Sequence, residues 1–168
     1  MANNNHLIDK YIDALLVEAA LRKNELNSET ITTVYLGGGT PSLLSITQLS
    51  KLVNGLKKVF DFSDLEEFTI EVNPDDVTAY YIQQAKSLGI NRVSMGVQSF
   101  SDEDLRFINR RHTAKQATDA IHIIKESGIN NISIDLIYGI PGQNIKIWKN
   151  NVETAISLLV QHISAYTL

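Results

Sequence analysis

The segment Lys86-Ser87-Leu88-Gly89-Ile90-Asn91-Arg92-Val93-Ser94 returns, little altered, as Lys125-Glu126-Ser127-Gly128-Ile129-Asn130-Asn131-Ile132-Ser133. Each copy reads as the end of a helix, a glycine stop and the start of a β-branched strand. A chain that repeats this unit stacks βα modules, and stacked βα modules form a parallel sheet with right-handed crossovers. The same alternation runs through the rest of the sequence. Strands are expected near 33–37, 68–73, 92–98, 131–138 and 162–167, and helices near 6–26, 46–60, 79–88, 102–109, 114–127 and 144–160. Local chemistry marks the boundaries: Ser45 with Gln48 forms a capping box, Thr78, Ser101 and Thr113 are N-caps, and Gly89 and Gly128 follow helix ends. Leu49, Leu52, Val53, Leu56 and Val59 make one core stripe, and Ile8, Ile12, Leu15 and Ala19 another. The expected organisation is α/β, one domain over residues 6–168, behind an unpatterned, disordered tail at residues 1–5.

Composition narrows the function. With 168 residues, 43% of them apolar, the chain can bury a real core. A net charge of −4, with no basic stripe, argues against a nucleic-acid partner. No apolar run approaches the roughly 20 residues that span a bilayer, and no signal-peptide core opens the chain, so a cytoplasmic location is expected. Cysteine is absent, which removes disulfides, thiolate metal sites and cysteine nucleophiles. His6, His112, His122 and His162 lack metal-ligand spacing, so no metal site is assigned, nor any catalytic residue. His122 is expected on a helix surface and His162 at the start of the last strand. Trp148 and the tyrosines are expected in the core or at its rim.

The unusual residues gather at the carboxyl ends of the strands, where parallel α/β folds bind ligands. Thr33-Val34-Tyr35-Leu36 runs into Gly37, Gly38 and Gly39, then Thr40 and Pro41. Three glycines let the backbone turn sharply and bring its N–H groups near a ligand. Glu71 and Asn73 end the second strand, Gln98 the third, and Asp135 lies within the fourth. Charged side chains at inner sheet positions need partners, and Arg110 or Arg111 is expected to supply them. Gly37, Gly38, Gly39, Thr40, Glu71, Gln98, Arg110 and Asp135 suit a ligand carrying an ammonium, a carboxylate and ribose hydroxyls.

Five blocks carry a family resemblance: Tyr35-Leu36-Gly37-Gly38-Gly39-Thr40-Pro41-Ser42, Glu71-Val72-Asn73-Pro74, Gly96-Val97-Gln98-Ser99-Phe100, Arg110-Arg111-His112 and Asp135-Leu136-Ile137-Tyr138-Gly139-Ile140-Pro141-Gly142-Gln143. Their order and spacing resemble radical S-adenosylmethionine proteins of the oxygen-independent coproporphyrinogen III oxidase family, closer to its heme-chaperone branch. The resemblance implies an incomplete TIM-like (β/α)6 barrel with about five parallel strands, its first strand and C-terminal domain absent. It implies that Gly37 to Thr40 and Glu71 hold S-adenosylmethionine, and that Gly39, Thr40, Gln98, Arg110 and Asp135 match a second such site in the oxidases. It further implies a tetrapyrrole, coproporphyrinogen III as substrate or heme as cargo. Members of the family use a CxxxCxxC loop to ligate a 4Fe–4S cluster that reduces S-adenosylmethionine. This chain has no such loop. It is therefore expected to be the central part of a longer parent, inactive by itself, with no cofactor bound tightly. An uncovered first strand is expected to make it self-associate through exposed Val34 and Leu36. Two other readings share some of these features: a radical S-adenosylmethionine enzyme acting on tRNA, and a phosphate-binding barrel or binding module without redox chemistry.

Overall fold

The computed structural model describes residues 2–27 and 29–168, with side chains from residue 6 onward. Five strands, β1 (Thr33–Leu36), β2 (Glu67–Val72), β3 (Arg92–Gln98), β4 (Asn131–Tyr138) and β5 (His162–Thr167), pair in parallel in the order β1-β2-β3-β4-β5. Six helices accompany them: α1 (Ala2–Arg22), α2 (Ile46–Val59), α3 (Ala79–Ser87), α4 (Asp102–Phe107), α5 (Ala114–Glu126) and α6 (Ile145–Ser157). Strand order follows chain order without reversal. That is the layout of a barrel segment, not of a doubly wound sheet, whose order reverses at a switch point.

Register explains which side chains face where. Val34 lies opposite Phe68, Ile70 opposite Val93, Met95 opposite Ile134 and Ile134 opposite Ile163, so one face is apolar throughout. It packs with Leu49 and Val53 of α2, Ile82 and Ala85 of α3, and Ile121 and Ile124 of α5. The alternate positions are Thr33 and Tyr35, then Glu67, Thr69 and Glu71, then Arg92 and Ser94, then Asn131, Ser133 and Asp135, then His162, Ser164 and Tyr166. The second face is therefore almost wholly polar. Val34 and Leu36, expected to lie exposed on an open edge, instead turn to the core, and Tyr35 is their exposed neighbour.

The sequence echo has a physical counterpart. Gly89 and Gly128 both turn with positive φ, 105° and 85°. In each unit a lysine of the preceding helix reaches the carbonyl that ends the next one: Lys57 to Leu88 at 2.7 Å, Lys86 to Ser127 at 3.5 Å, and Lys125 to Leu158 at 2.6 Å. Each ammonium satisfies a terminal carbonyl and meets the negative end of a helix dipole. The expected capping box at Ser45 and Gln48 is present, and Thr113 with Gln116 makes a second. One boundary needs correction. Ala2 to Asn5, expected in a disordered tail, continue α1, since no proline or glycine there stops it; Met1 lies outside the described residues. Gly55 lets α1 and α2 approach closely, because a Cβ there would sit 2.5 Å from Leu16.

Candidate functional site

The glycine turn leaves β1 beside the end of β2, and Glu71 bridges the two. The Tyr35 hydroxyl donates to Glu71 Oε1 at 2.8 Å, and the Gly38 N–H donates to Oε2 at 3.0 Å. The three glycines divide their work. Gly38 and Gly39 adopt φ of 77° and 59°, with open space where a Cβ would lie. At Gly37 a Cβ would come 2.5 Å from the Tyr35 ring and 2.9 Å from Glu71 Oε1. That glycine makes room for a side chain rather than for backbone approach, which corrects the sequence expectation.

The turn is braced from beneath. Ser42 donates to Asp76 Oδ2 at 2.7 Å and accepts from the Asn73 N–H at 3.3 Å, tying the loop after β1 to the loop after β2. Arg111 then grips the same loop, 2.8 Å from Asp75 and 3.7 Å from Asp76. The expectation that Arg110 or Arg111 would neutralise Glu71 is thus corrected: Glu71 takes a phenol and a backbone N–H, and Arg111 is committed to Asp75. Arg110 remains near Asp135, whose carboxyl it helps to hold down. Burial nonetheless pushes Asp135 above the usual carboxylate range, with the Glu71 charge adding to it; the Ser164 hydroxyl and His162 oppose it. Asp135 lies opposite Ser164 and deeper in the sheet than Glu71, with three strand residues still to follow.

Gln98 ends β3 at a register shift, with φ of 68° and only 7% exposure. A Cβ on Gly96 would meet its amide at 2.8 Å, so this side chain too lies over a glycine on the polar face. A buried network holds the strained peptide. Ser99 donates to Asp104 at 2.7 Å and accepts from Asn151 at 2.9 Å; Asn151 accepts the Phe100 N–H at 2.8 Å. Gln143 donates to the same Asp104 oxygen at 2.7 Å and accepts from the Gly139 N–H at 3.1 Å. The loops after β3 and β4 are therefore locked together. His112, buried behind them, bonds the Val97 carbonyl at 3.0 Å, and burial lowers its pKa.

Tyr35, Ser42, Asp76, Asp104 and Asn151 were not singled out in the sequence. Tyr35 was placed with the core and rim tyrosines, although its spacing two residues before Gly37, on one strand face, was readable. Asp104 and Asn151 carry no local signal, being ordinary polar residues on helices. Among the described residues no cluster of three His, Cys, Asp or Glu could hold a metal, and no helix is long and apolar enough to cross a membrane.

The site's chemistry follows from charge. A turn of backbone N–H groups ordinarily receives an anion. Here its Gly38 N–H already holds a carboxylate, so the turn presents negative charge and suits a cation.

A family model described as the radical SAM superfamily matches residues 4–155. The heme chaperone HemW of Lactococcus lactis subsp. lactis (strain IL1403) is 40% identical over 161 residues, covering 96% of this chain and 41% of that protein. HemW of Bacillus subtilis (strain 168) is 40% identical over 162 residues, covering 96% and 43%. Among solved structures, coproporphyrinogen III oxidase (HemN) from Escherichia coli, a radical SAM enzyme, superposes with a TM-score of 0.86 at 31% identity, over 96% of this chain and 37% of that one. Archaeal Elp3 from Methanocaldococcus infernus gives 0.72 at 22% identity, over 90% and 41%, a likeness of fold alone. The chain thus spans about two fifths of the length of the curated relatives it matches.

Proposed function

This chain belongs to the radical SAM superfamily, and from that premise we propose that its glycine turn and Glu71 receive the amino group of S-adenosylmethionine. Gly37 to Thr40 would line the amino-acid end of that ligand, and Gln98, Arg110 and Asp135 would face its remainder or a second molecule. The observation that carries the reading is the Glu71 carboxylate seated on Gly38 N–H, which offers an ammonium a partner and occupies a donor that a phosphate would need. A phosphate-binding barrel is therefore disfavoured. So is a tRNA substrate, given a net charge of −4 and no basic stripe.

The residues fit S-adenosylmethionine but not a 4Fe–4S cluster, which needs thiolates that this chain does not contain. The activity we assign to the longer protein is radical S-adenosylmethionine chemistry or tetrapyrrole handling in porphyrin and heme metabolism. The 40% identity to heme chaperones, against 31% to the oxidase, supports heme as cargo over coproporphyrinogen III as substrate. Without cluster iron to chelate the ligand, this chain alone binds it more weakly than micromolar, short of roughly −8 kcal/mol. Titration of the labelled chain with millimolar S-adenosylmethionine, followed by NMR, tests the reading. The Gly38, Gly39 and Thr40 amides should shift, and equal inorganic phosphate should leave them still. Shifts with phosphate alone, or none with S-adenosylmethionine, would overturn it.

A further inference from the structure

We propose that Tyr35 is a positioning residue for this site: seated over Gly37, it holds the Glu71 carboxylate against the glycine turn in the orientation that meets the ligand's ammonium. The inference rests on the reading of Glu71 just given.

The geometry begins with register. Tyr35 lies opposite Thr69, which places Gly37 level with Glu71 on the same polar face. A side chain two residues before a glycine can lean along its strand into the space the missing Cβ leaves. Tyr35 does so, and a Cβ at position 37 would fall within 2.5 Å of its ring and 2.9 Å of Glu71 Oε1. The ring, the glycine and the carboxylate are thus packed as one unit, although Tyr35 remains 52% exposed toward the open face.

The two donors fall on different oxygens, the phenol on Oε1 and the Gly38 N–H on Oε2. One donor would leave the carboxylate free to swing about its last torsion; two fix its plane. Each oxygen keeps a lone pair for an incoming N–H, since a carboxylate offers about four acceptor sites. The rotamer freedom of a glutamate is then lost on folding, not on binding, which is how preorganisation raises affinity. The phenol is suited to the task, because burial first, and the Glu71 and Asp135 charges after it, raise its pKa above 10, so it remains a donor at neutral pH. Gln98 over Gly96 on β3 repeats the device.

The test compares Tyr35→Phe, Glu71→Gln and the double variant of this chain, each titrated with S-adenosylmethionine and followed at the Gly38 and Gly39 amides. Tyr35→Phe keeps the ring over Gly37 and removes only the hydroxyl, so its melting temperature should stay near that of the parent chain. It should weaken binding about fivefold, as loss of one hydrogen bond implies. The double variant should bind no more weakly than Glu71→Gln, because the phenol acts only through that carboxylate. Unchanged binding in Glu71→Gln would overturn the ammonium reading itself. Weakened binding in Glu71→Gln, with Tyr35→Phe unaffected or additive, would overturn the role of Tyr35 alone. A ligand-free measurement stands beside these: with Cζ-labelled tyrosine, Glu71→Gln should lower the pH at which Tyr35 ionises. No movement of that titration would refute the phenol–carboxylate contact.

Discussion

Replacing Asn151 with alanine should cost the fold about 2–4 kcal/mol, although residue 151 touches no proposed ligand. The side chain is fully buried on α6 and serves two partners on the loop after β3, the Phe100 N–H and the Ser99 hydroxyl. Alanine leaves the Phe100 N–H buried without an acceptor, a penalty of about 1–3 kcal/mol, and removes a second bond worth about 1 kcal/mol. Ser99 itself is not orphaned, because it keeps Asp104 at 2.7 Å and the Ser101 N–H at 3.1 Å. For a domain of this size the loss corresponds to a fall of roughly 4–16 °C in melting temperature. Urea unfolding should show the midpoint drop with the slope unchanged. A loss below about 0.5 kcal/mol would mean that the Phe100 N–H finds another partner, and that the network does not fix the Gln98 turn.

Asp135→Asn should stabilise the chain near neutral pH. Burial raises the folded carboxyl above its ordinary 3.8, so the charged form weakens the fold as pH rises through the folded value and the penalty vanishes below 3.8; a gain that stays constant down to about pH 3.5 would contradict this. Lys125→Met should lower the melting temperature by roughly 2–4 °C, about 1 kcal/mol for two partly exposed carbonyl contacts at 2.6 and 3.0 Å. Lys86→Met, whose contact is 3.5 Å, should cost less, and equal losses would refute the helix-end account. Self-association should follow from the outer strand β1 and from exposed Leu7, Tyr11, Val17 and Leu21 on α1; a clean monomer by sedimentation velocity at high concentration would refute it.

The strands, helices and caps were legible because their causes are local. Period-two alternation marks β4, and Thr113 caps a helix through a residue three positions away. The site was legible only in part. Glu71 stood out as a charge in a strand, but its partner Tyr35 lies 36 residues away in sequence and is chosen by the pairing register of β1 and β2. Arg110 and Arg111 are equivalent in sequence; only the path of the loop sends Arg111 to Asp75. Asp104 and Asn151 meet through three separate elements, and nothing within a few residues of either announces it. A tail was expected at 2–5 because asparagines carry no apolar period, whereas helix propagation needs only the absence of a stop.

The two-sided sheet has a consequence for how such a chain can change over generations. Its apolar face interlocks with the helices, so a substitution there disturbs many neighbours at once. Its polar face carries side chains that answer mainly to the residue opposite on the next strand. A lineage could rewrite that second face two residues at a time, trading one ligand for another, while the helix-covered side passed on unaltered. Solved relatives sharing as little as 13–15% of their sequence still superpose on most of this chain with TM-scores from 0.58 to 0.69. That persistence is what separate inheritance of scaffold and chemistry would leave behind.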